Sequence, residues 1–356
     1  MSGLALPVLL LIFAAAAGVI WVAGIQLSDQ TDVLAMRLHL GSALGGLILL
    51  AVATNLPEIA ITVSAALSHD LGVAVGNILG GIGIQTVVLV VLDVFGVRGT
   101  RPLSYRAASL VLVLEGALVV AVLGIVIAGT QLRGSLLFGR IEPASLAIAV
   151  VWFAGLFLLQ RAGHGLPWHE SGNPPDGQDR PKGHSQQTAE KNATKKGTST
   201  ARSATVFGVA ALFTLAAGVV LERSGEAIAS NIGLTGVLFG ATVLATATSL
   251  PEVSTGLTSV KNGDYQLAVS DIFGGNAFLP VLFLLASIIS GTAVLPQAHD
   301  TDIYLTAVAI LLTLVYMTGL VFRPGRRTAR MGIDSLIVLV LYALGVVGLV
   351  AIAGAG

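Results

Sequence analysis

The chain has no cysteine among its 356 residues, and only 11% of its residues are charged. Without cysteine it can form no disulfide, no thiolate metal site and no thiol nucleophile. The 19 basic residues balance the 19 acidic ones, so the net charge gives no indication of a nucleic-acid partner. Basic residues are also missing from the start of the chain, where none precedes Arg37.

Long apolar runs dominate what is present. Hydrophobic residues make up 54% of the chain and the mean hydropathy is +0.88, which is typical of proteins that cross a bilayer several times. The first run, Leu4 to about Leu27, is too long for a signal peptide, so we expect a retained first span. We predict an all-α membrane protein with ten transmembrane helices, at residues 4–27, 40–67, 71–95, 105–128, 143–160, 206–222, 234–260, 265–290, 303–322 and 333–353.

One polar segment interrupts this pattern. In residues 161–203 the aliphatic side chains give way to Gly, Pro, Ser, Thr, Lys, Asp and Gln, a composition typical of a flexible linker. His164, His169 and His184 lie in it, but their spacing matches no standard zinc site. We therefore predict a first five-helix unit (1–160), a flexible linker (161–203) and a second five-helix unit (204–356).

The basic residues predict the orientation of the spans, because basic loops stay in the cytoplasm. With the N-terminus outside, sixteen Lys and Arg residues fall in cytoplasmic segments and three outside, and without the linker the ratio is nine to three. We thus predict a multi-pass protein of the cell membrane, with both termini outside and the linker in the cytoplasm. Nothing in the sequence indicates an oligomeric state.

The two halves of the chain carry related sequences. A shift of 194 residues places LAVATNLPE (50–58) on LATATSLPE (244–252), with 13 identities in the 32 positions from 50 to 81. The same shift pairs Gly24 with Gly218 and Gly80-Gly81 with Gly274-Gly275. Because each unit holds an odd number of predicted spans, the second must be inverted in the membrane. Glu58 and Glu252 should then meet near the middle of the bilayer.

The repeated motif contains the residue types of a cation site. A carboxylate in hydrocarbon costs at least ~2.5 kcal/mol, which favours a functional role for the two glutamates over a structural one. Each motif also contains a proline, which has no N–H and therefore frees a backbone carbonyl four residues earlier. Hydroxyl and amide oxygens project beside each glutamate. The candidate ligands are Glu58, Thr54, Asn55 and the Ala53 carbonyl in one motif, and Glu252, Thr248, Ser249 and the Ala247 carbonyl in the other.

These donors are all oxygen atoms. Such a set suits Ca²⁺, which takes about 6–8 oxygen ligands, and the absence of soft ligands argues against copper or zinc. Two bare carboxylates would be costly to expose to the bilayer interior, whereas one Ca²⁺, two protons or a few Na⁺ would neutralise them. We therefore predict an exchanger of Ca²⁺ for Na⁺ or H⁺, with no cofactor and no enzymatic activity.

The segments GSALGGLILLAVATNLPEIAITVSA and GVLFGATVLATATSLPEVSTGL resemble the two alpha repeats of the calcium/cation antiporter superfamily, whose best-known branch is the sodium/calcium exchangers. The likeness covers about 100 residues, over both motif helices and the helices that follow them. It implies that Glu58 and Glu252 are the Ca²⁺ carboxylates and that Thr54 and Thr248 contribute ligands to the cation sites.

The chain departs from the sodium-exchanging members in the helices after each motif. Those members carry Gly-Ser-Asn followed by Asn or Asp, whereas this chain has Gly80-Gly81-Ile82 before Gln85, and Gly274-Gly275-Asn276 before Leu279. Both serines are missing, so the resemblance does not carry the sodium ligands over to this chain. Gln85 remains a candidate oxygen donor.

Three further polar residues lie in predicted spans. Asp271 stands where the first repeat has Asn77, and it is a candidate ligand or proton carrier, or a structural cap. Glu115 lies in the fourth span, where it could relay protons or form a hydrogen bond to a neighbouring helix. Asn77, Gln85 and Asp271 complete the set of candidate cation-site residues.

Other functions are compatible with parts of this pattern. Oxygen ligands alone do not distinguish Ca²⁺ from Mg²⁺, Mn²⁺, Na⁺ or K⁺, so an antiporter of another cation is the main alternative. An intramembrane hydrolase would need two aspartates or a Ser/His pair at depth, and here the repeated acids are glutamates. A non-transporting membrane sensor is a further alternative, which the intact pair Glu58 and Glu252 disfavours.

Overall fold

The computed structural model describes residues 4–37, 51–132, 137–163, 200–233 and 239–353. Within these ranges the chain is almost entirely helical, with one two-stranded hairpin. The helices are α1 (Leu6–Arg37), α2 (Leu56–Ser68), α3 (Leu71–Val91), α4 (Leu103–Ala107), α5 (Leu110–Thr130), α6 (Pro143–Gly163), α7 (Thr200–Ile232), α8 (Ala245–Thr248), α9 (Leu250–Lys261), α10 (Tyr265–Phe278), α11 (Leu282–Ser290), α12 (Asp300–Phe322) and α13 (Ile333–Ala353); the strands are β1 (Arg327–Thr328) and β2 (Met331–Gly332).

Within the described ranges, eight helical stretches are long and apolar enough to cross a membrane, so the protein is a multi-pass membrane protein. They correspond to eight of the ten predicted spans. The other two predicted spans, 40–67 and 234–260, carry the repeated motifs and begin in residues outside the described ranges. The eight stretches are Leu6–Leu27, Leu71–Gly96, Leu110–Thr130, Pro143–Ala162, Thr200–Ile232, Tyr265–Ser290, Asp300–Phe322 and Ile333–Ala353.

Several helix ends differ from the prediction. α1 continues to Arg37, and α7 starts at Thr200 and ends at Ile232, because helix-forming polar residues extend a helix beyond its apolar part. The predicted span 105–128 is a short helix, α4, followed by α5. The break has a local cause: Ser109 has an extended backbone, and its side chain accepts a hydrogen bond from Val111 N–H, as in an N-cap.

Helix α3 lies at the centre of the structure and contacts α2, α10, α12 and α13. It also contacts the π-helical segment Gly240–Leu244, which precedes the second motif. Gly80 makes this approach possible, because a Cβ atom at this position would lie 2.5 Å from the Ala241 Cα. The second motif therefore packs directly against the backbone of a helix from the first half of the chain.

Helices α1 and α7 pack along each other, and each crosses a motif from the other half of the chain. A Cβ atom at Gly24 of α1 would lie 2.8 Å from the Pro251 Cβ, and one at Gly218 of α7 would lie 3.1 Å from the Pro57 carbonyl oxygen. The shift of 194 residues relates Gly24 to Gly218 and Pro57 to Pro251. The same helix crossing thus occurs twice, with the halves exchanged.

A second pair of helix contacts is also exchanged between the two halves of the chain. Helix α2 packs against α11, at the end of the span Tyr265–Ser290. Helix α9 packs against Leu92–Gly96, at the end of the span Leu71–Gly96. There a Cβ atom at Gly256 would lie 2.6 Å from a methyl carbon of Leu92. Each motif helix therefore packs against two helical elements of the other half.

Candidate cation site

The first motif interrupts its helix at Asn55, whose φ and ψ are −88° and 16°. The backbone bonds on either side persist: Asn55 N–H donates to the Ala51 carbonyl at 3.2 Å, and Ile59 N–H donates to the Asn55 carbonyl at 3.0 Å. Pro57 has no N–H to donate to the Ala53 carbonyl, so the ladder lacks one bond here. The helix continues past the break, and the Ala53 carbonyl lacks the helical N–H donor that a residue other than proline would supply.

The second motif has the same local structure. Ser249 has φ −81° and ψ 5°, and its N–H donates to the Ala245 carbonyl at 3.1 Å. Val253 N–H donates to the Ser249 carbonyl at 3.1 Å. Pro251 deprives the Ala247 carbonyl of its helical donor. The two halves of the chain therefore present the same broken turn.

Polar side chains at both breaks are buried and donate to the preceding turn. In the first motif, Asn55 Nδ2 donates to the Ala51 carbonyl at 2.7 Å, and Thr54 Oγ1 donates to the same oxygen at 3.4 Å. Both donors are directed backwards along the helix, and the Asn55 amide oxygen accepts a hydrogen bond from Gln85 Nε2 at 3.2 Å.

Thr248 and Ser249 repeat this arrangement in the second motif. Their hydroxyls donate to the Ala245 carbonyl at 3.1 and 2.8 Å. Both residues are buried. Each hydroxyl oxygen keeps acceptor lone pairs after this donation.

Glu58 and Glu252, one from each half, lie near enough for charges on their carboxyl groups to interact. Both side chains are buried, with 0% and 1% exposure. Thr248 is close to the Glu58 carboxyl. Among the residues that the structure describes, neither Glu58 oxygen has a hydrogen-bond partner within normal distance, and Glu252 Oε2 also lacks one. Buried carboxylate oxygens without partners favour an added cation or proton strongly.

Gln85 connects the two motifs. Its Nε2 donates to Asn55 Oδ1 at 3.2 Å and to Glu252 Oε1 at 3.3 Å. Gly275 leaves the space for this pair, because a Cβ atom there would lie 3.0 Å from Asn55 Nδ2 and 3.4 Å from Gln85 Oε1. The candidate donor Gln85 is therefore in the same site as the glutamates.

Asp271 lies near enough to Glu252 for charges on the two carboxyl groups to interact. Its Oδ2 accepts a hydrogen bond from Thr255 Oγ1 at 2.8 Å, and its buried Oδ1 has no hydrogen-bond partner in the described part of the chain. Thr255 was not identified from the sequence, although it lies three residues after Glu252 on the same helix. That spacing is the signal that could have identified it.

Asn77 and Glu115 are placed differently. Asn77 is buried, and within the described ranges neither its Nδ2 nor its Oδ1 forms a hydrogen bond, so no bond connects it to the motifs. Glu115 Oε1 accepts a hydrogen bond from Ser270 Oγ on α10 at 2.9 Å, which matches the predicted bond to a neighbouring helix. Its Oε2 lacks a partner. Ser270 is the sequence neighbour of Asp271, but no hydrogen bond between the described residues connects Glu115 to the motif residues.

No group of three or more His, Cys, Asp or Glu residues in the described part of the chain is arranged to hold a metal ion. The candidate site instead combines carboxylates with amide, hydroxyl and backbone oxygens. His164, His169 and His184 lie outside the described residues.

Comparison with known proteins gives the family. The sequence pattern of the family described as sodium/calcium exchanger protein matches residues 8–160 and 202–351. A proposed antiporter, CaxA of Alkalimonas amylolytica, is 26% identical over 288 residues, which cover 79% of this chain and 81% of the relative.

Two solved structures share the fold. The H⁺/Ca²⁺ exchanger CAX has a TM-score of 0.67 at 10% identity, covering 98% of this chain and 88% of that one. The sodium-calcium exchanger NCX_Mj has a TM-score of 0.57 at 15% identity, covering 96% of this chain and 99% of that one. The superfamily resemblance noted from the repeats is confirmed, and the chain belongs to the sodium/calcium exchanger family, whose members are membrane cation antiporters.

Proposed function

We propose that this protein is a secondary active antiporter that exchanges Ca²⁺ for Na⁺ or H⁺ by alternating access at one site formed by both TxLPE motifs. One observation carries the proposal: Glu58 and Glu252 come from different halves, are both buried, and within the described ranges leave three of their four oxygens without a hydrogen bond. Such a pair is costly when empty and is neutralised by one divalent cation or two monovalent ones.

The oxygen donors around the pair support a Ca²⁺ site. Hard cations such as Ca²⁺ take carboxylate, carbonyl, hydroxyl and amide oxygens together. We assign the ligand set to the motif side chains, the two freed carbonyls and the neighbouring polar groups of the third and eighth predicted spans. The proposed ligands are Glu58, Thr54, Asn55, Ala53, Glu252, Thr248, Ser249, Ala247, Gln85, Asp271 and Asn77.

Two inverted five-helix repeats explain the exchanged contacts. Gly24 packs on Pro251 while its equivalent Gly218 packs on Pro57, and each motif helix contacts the end of the following span of the other half. A pseudo-two-fold axis in the membrane plane produces such reciprocal pairs. The proposed architecture is ten spans in units 1–160 and 204–356, with the linker 161–203 between them and both termini outside.

The residues that line the same site also indicate which counter-ion is exchanged. Glycines at 81 and 275 stand where the resembling sodium exchangers carry serine, and Gly275 faces the Asn55–Gln85 pair. Asp271 adds a third buried carboxylate next to Glu252. Fewer hydroxyl ligands and more acids favour H⁺ over Na⁺ as the exchanged ion.

Uptake of ⁴⁵Ca²⁺ into membrane vesicles under imposed gradients tests the proposal. We expect a pH or Na⁺ gradient to drive Ca²⁺ accumulation above equilibrium, and the collapse of that gradient by an ionophore to abolish it. Excess Mg²⁺ or Mn²⁺ should compete weakly. If neither the pH gradient nor the Na⁺ gradient drove Ca²⁺ accumulation, the exchange of Ca²⁺ for Na⁺ or H⁺ would be refuted. Stronger uptake of Mn²⁺ or Mg²⁺ than of Ca²⁺ would assign the site to another cation.

A further inference from the structure

Two of the spanning stretches occupy equivalent places in the two halves of the chain. The shift of 194 residues places the first stretch, Leu71–Gly96, on the second stretch, Tyr265–Ser290. It also pairs Asp93, near the end of the first stretch, with Ser287, near the end of the second. Both side chains are fully buried. A carboxylate and a hydroxyl therefore stand at the same place in the two halves.

Asp93 joins the end of the first stretch to the start of α13. Its Oδ2 accepts hydrogen bonds from Ser335 Oγ at 2.9 Å and from Gly332 N–H at 2.7 Å. Its Oδ1 accepts from Leu103 N–H at 2.9 Å, in the first turn of α4. The single carboxylate thus connects the stretch to α13, to β2 and to the connection that follows the stretch.

Glu142, which immediately precedes α6, makes corresponding contacts with the second stretch. Its side chain is 2% exposed, and its Oε2 accepts hydrogen bonds from Ser287 Oγ at 3.1 Å and from Ser145 Oγ at 2.7 Å. Oε2 also accepts from Val294 N–H at 3.2 Å, and Oε1 accepts from Leu295 N–H at 3.2 Å. This carboxylate thus connects the stretch to α6 and to the connection that follows the stretch.

An arginine in a short two-stranded turn adds a further contact to each cluster. Arg327 in β1 precedes α13; its guanidinium lies 3.7 Å from Asp93 Oδ1 and donates to the Asp93 carbonyl at 2.5 Å. Arg140 lies in the turn 138–141 that precedes α6, and it donates to the Ile288 carbonyl at 3.3 Å. Both arginines therefore bind backbone at the end of a spanning stretch.

The two clusters connect corresponding elements with the acid and the serine exchanged. In each, one carboxylate–serine hydrogen bond ties the end of a spanning stretch to the start of another span. The acid stands on the stretch in the first cluster and before the neighbouring span in the second, so the aligned positions carry different residues. We call them the Asp93 junction (Asp93, Leu103, Arg327, Gly332, Ser335) and the Glu142 junction (Arg140, Glu142, Ser145, Ser287, Val294, Leu295).

Each junction holds the span end on which a motif helix of the other half packs. Helix α9, which has Glu252 in its first turn, packs against Leu92–Gly96. A Cβ atom at Gly96 would lie 2.9 Å from a methyl carbon of Val260 on α9. Helix α2, which has Glu58 in its first turn, packs against α11. A change at either junction therefore reaches a motif glutamate through one helix contact.

We propose that Asp93 and Glu142 are equivalent positioning residues of the exchanger. Neither belongs to the proposed ligand set, and each keeps one motif glutamate in place through the span end that it anchors. Fully hydrogen-bonded buried networks make the surrounding structure rigid, and hydrogen bonds to a carboxylate are the strong ones. The effect on Ca²⁺ rests on the proposed function, whereas the anchoring of the helices does not.

Exchange of the acid and the serine tests the Glu142 junction by ⁴⁵Ca²⁺ uptake into reconstituted vesicles. Glu142→Ser should raise the half-saturating Ca²⁺ concentration about tenfold, because it removes the acceptor of several hydrogen bonds. Ser287→Asp alone, which places two carboxylates together, should also raise it. Glu142→Ser combined with Ser287→Asp gives this junction the arrangement of the Asp93 junction. The combined variant should return to within about twofold of the native chain, since only paired residues compensate each other.

Two milder variants keep both acids and remove one hydrogen bond from each junction. Ser287→Ala and Ser335→Ala should each raise the half-saturating Ca²⁺ concentration about threefold. Ser290→Ala is the matched control, because Ser290 lies on the same helix as Ser287 but its hydroxyl donates to the Ala286 carbonyl of that helix at 2.8 Å. If Glu142→Ser does not fold, native half-saturation in both Ser287→Ala and Ser335→Ala would overturn the proposal.

Nitroxide distances separate a failure of this proposal from a failure of the proposed function. The chain has no cysteine, so Leu67→Cys on α2 and Phe157→Cys on α6, both exposed, can be spin-labelled as a pair. We expect double electron–electron resonance to give a shifted or broader distance distribution in Glu142→Ser and the native one in the combined variant. If the native chain shows no gradient-driven uptake, the proposed function fails and these distances alone decide. An unchanged distribution in Glu142→Ser, or no recovery in the combined variant, would overturn the proposal.

Discussion

Among single residues, Gln85 makes the contacts that join the two motifs. Replacing Gln85 with Leu keeps the volume roughly constant but removes the bonds to Asn55 and Glu252. A hydrogen bond to a charged group contributes ~1.5–3 kcal/mol, so we expect the half-saturating Ca²⁺ concentration for uptake to rise about tenfold or more. Gln131→Leu, at an exposed glutamine at the end of α5, should leave uptake unchanged. Equal uptake in Gln85→Leu and the native chain would exclude a role for Gln85.

Gly275 and Gly274 form a matched pair of neighbours. A Cβ atom at Gly275 would press on Asn55 and Gln85, whereas one at Gly274 would meet nothing within 4 Å. We predict that Gly275→Ala lowers Ca²⁺ affinity severalfold through displacement of that side-chain pair, and that Gly274→Ala does not. Concentration dependence of ⁴⁵Ca²⁺ uptake measures both. Similar effects from the two variants would indicate general helix packing instead of crowding at the site.

Most of the site residues that the sequence identified belong to the duplicated motif. Comparing LAVATNLPE with LATATSLPE predicts that Glu58 and Glu252 meet, because an inverted repeat brings equivalent positions together. The hydrogen-bond partners of residues that occur in only one of the two repeats were not predictable in this way. Thr255 beside Asp271 and Ser270 beside Glu115 depend on how each helix is rotated about its axis, and the repeat does not encode that rotation.

At the level of elements, the crossings of α1 and α7 over the two motifs depend on glycine. Gly24→Ala and Gly218→Ala would place a methyl group within about 3 Å of Pro251 or Pro57 (2.8 and 3.1 Å for the nearest proline atoms). Overpacking of this kind costs ~1–3 kcal/mol, so we expect both variants to lower the thermal unfolding midpoint in detergent.

The same two helices supply the controls for that prediction. Gly18 on α1 and Gly208 on α7 have nothing within 4 Å of an added Cβ. Their replacement by Ala should leave the midpoint unchanged or raise it, since Ala favours a helix by up to ~1 kcal/mol over Gly. If Gly24→Ala and Gly218→Ala left the unfolding midpoint as unchanged as these controls do, the close approach of α1 and α7 to Pro251 and Pro57 would be contradicted.

Hydropathy predicted the elements well where apolar runs are continuous and less well at their ends. It places α6, α10 with α11, and α13 within a few residues of their observed bounds. Hydropathy detects only the apolar part of α1 and α7. It also predicts one span where α4 and α5 are separate helices, because the capping residue Ser109 changes the mean hydropathy very little. Caps and polar helix extensions are local events that an average over some 20 residues conceals.

For the whole molecule, the orientation rests on the distribution of basic residues. The chain contains no cysteine, so single cysteines can report the side of the membrane directly. We predict that Gln131→Cys reacts with a membrane-impermeant maleimide on intact cells and that Arg326→Cys reacts only after permeabilisation; both positions are exposed. The reverse labelling pattern would place both termini in the cytoplasm.

The class of multi-pass helical membrane protein was predictable from the sequence, because long apolar runs fill most of the chain. The inverted ten-span arrangement stays a prediction from the duplicated motif and the odd number of predicted spans in each half. The Asp93 junction was not predictable. It joins Asp93 to Leu103, Arg327 and Gly332, which lie in three separate segments with no shared motif. Such a cluster forms from the packing of the complete fold, and no sequence pattern indicates it.

The central claim is that Glu58 and Glu252 form one cation site. Gradient-driven ⁴⁵Ca²⁺ uptake of Glu58→Gln and Glu252→Gln, each reconstituted separately, tests it most directly, with the exposed Glu226→Gln of α7 as the control. Each site variant should lose uptake by roughly 100-fold or more, since either change removes a charge from the shared ligand set, while the control exchanges normally. Normal exchange by either site variant would contradict the claim.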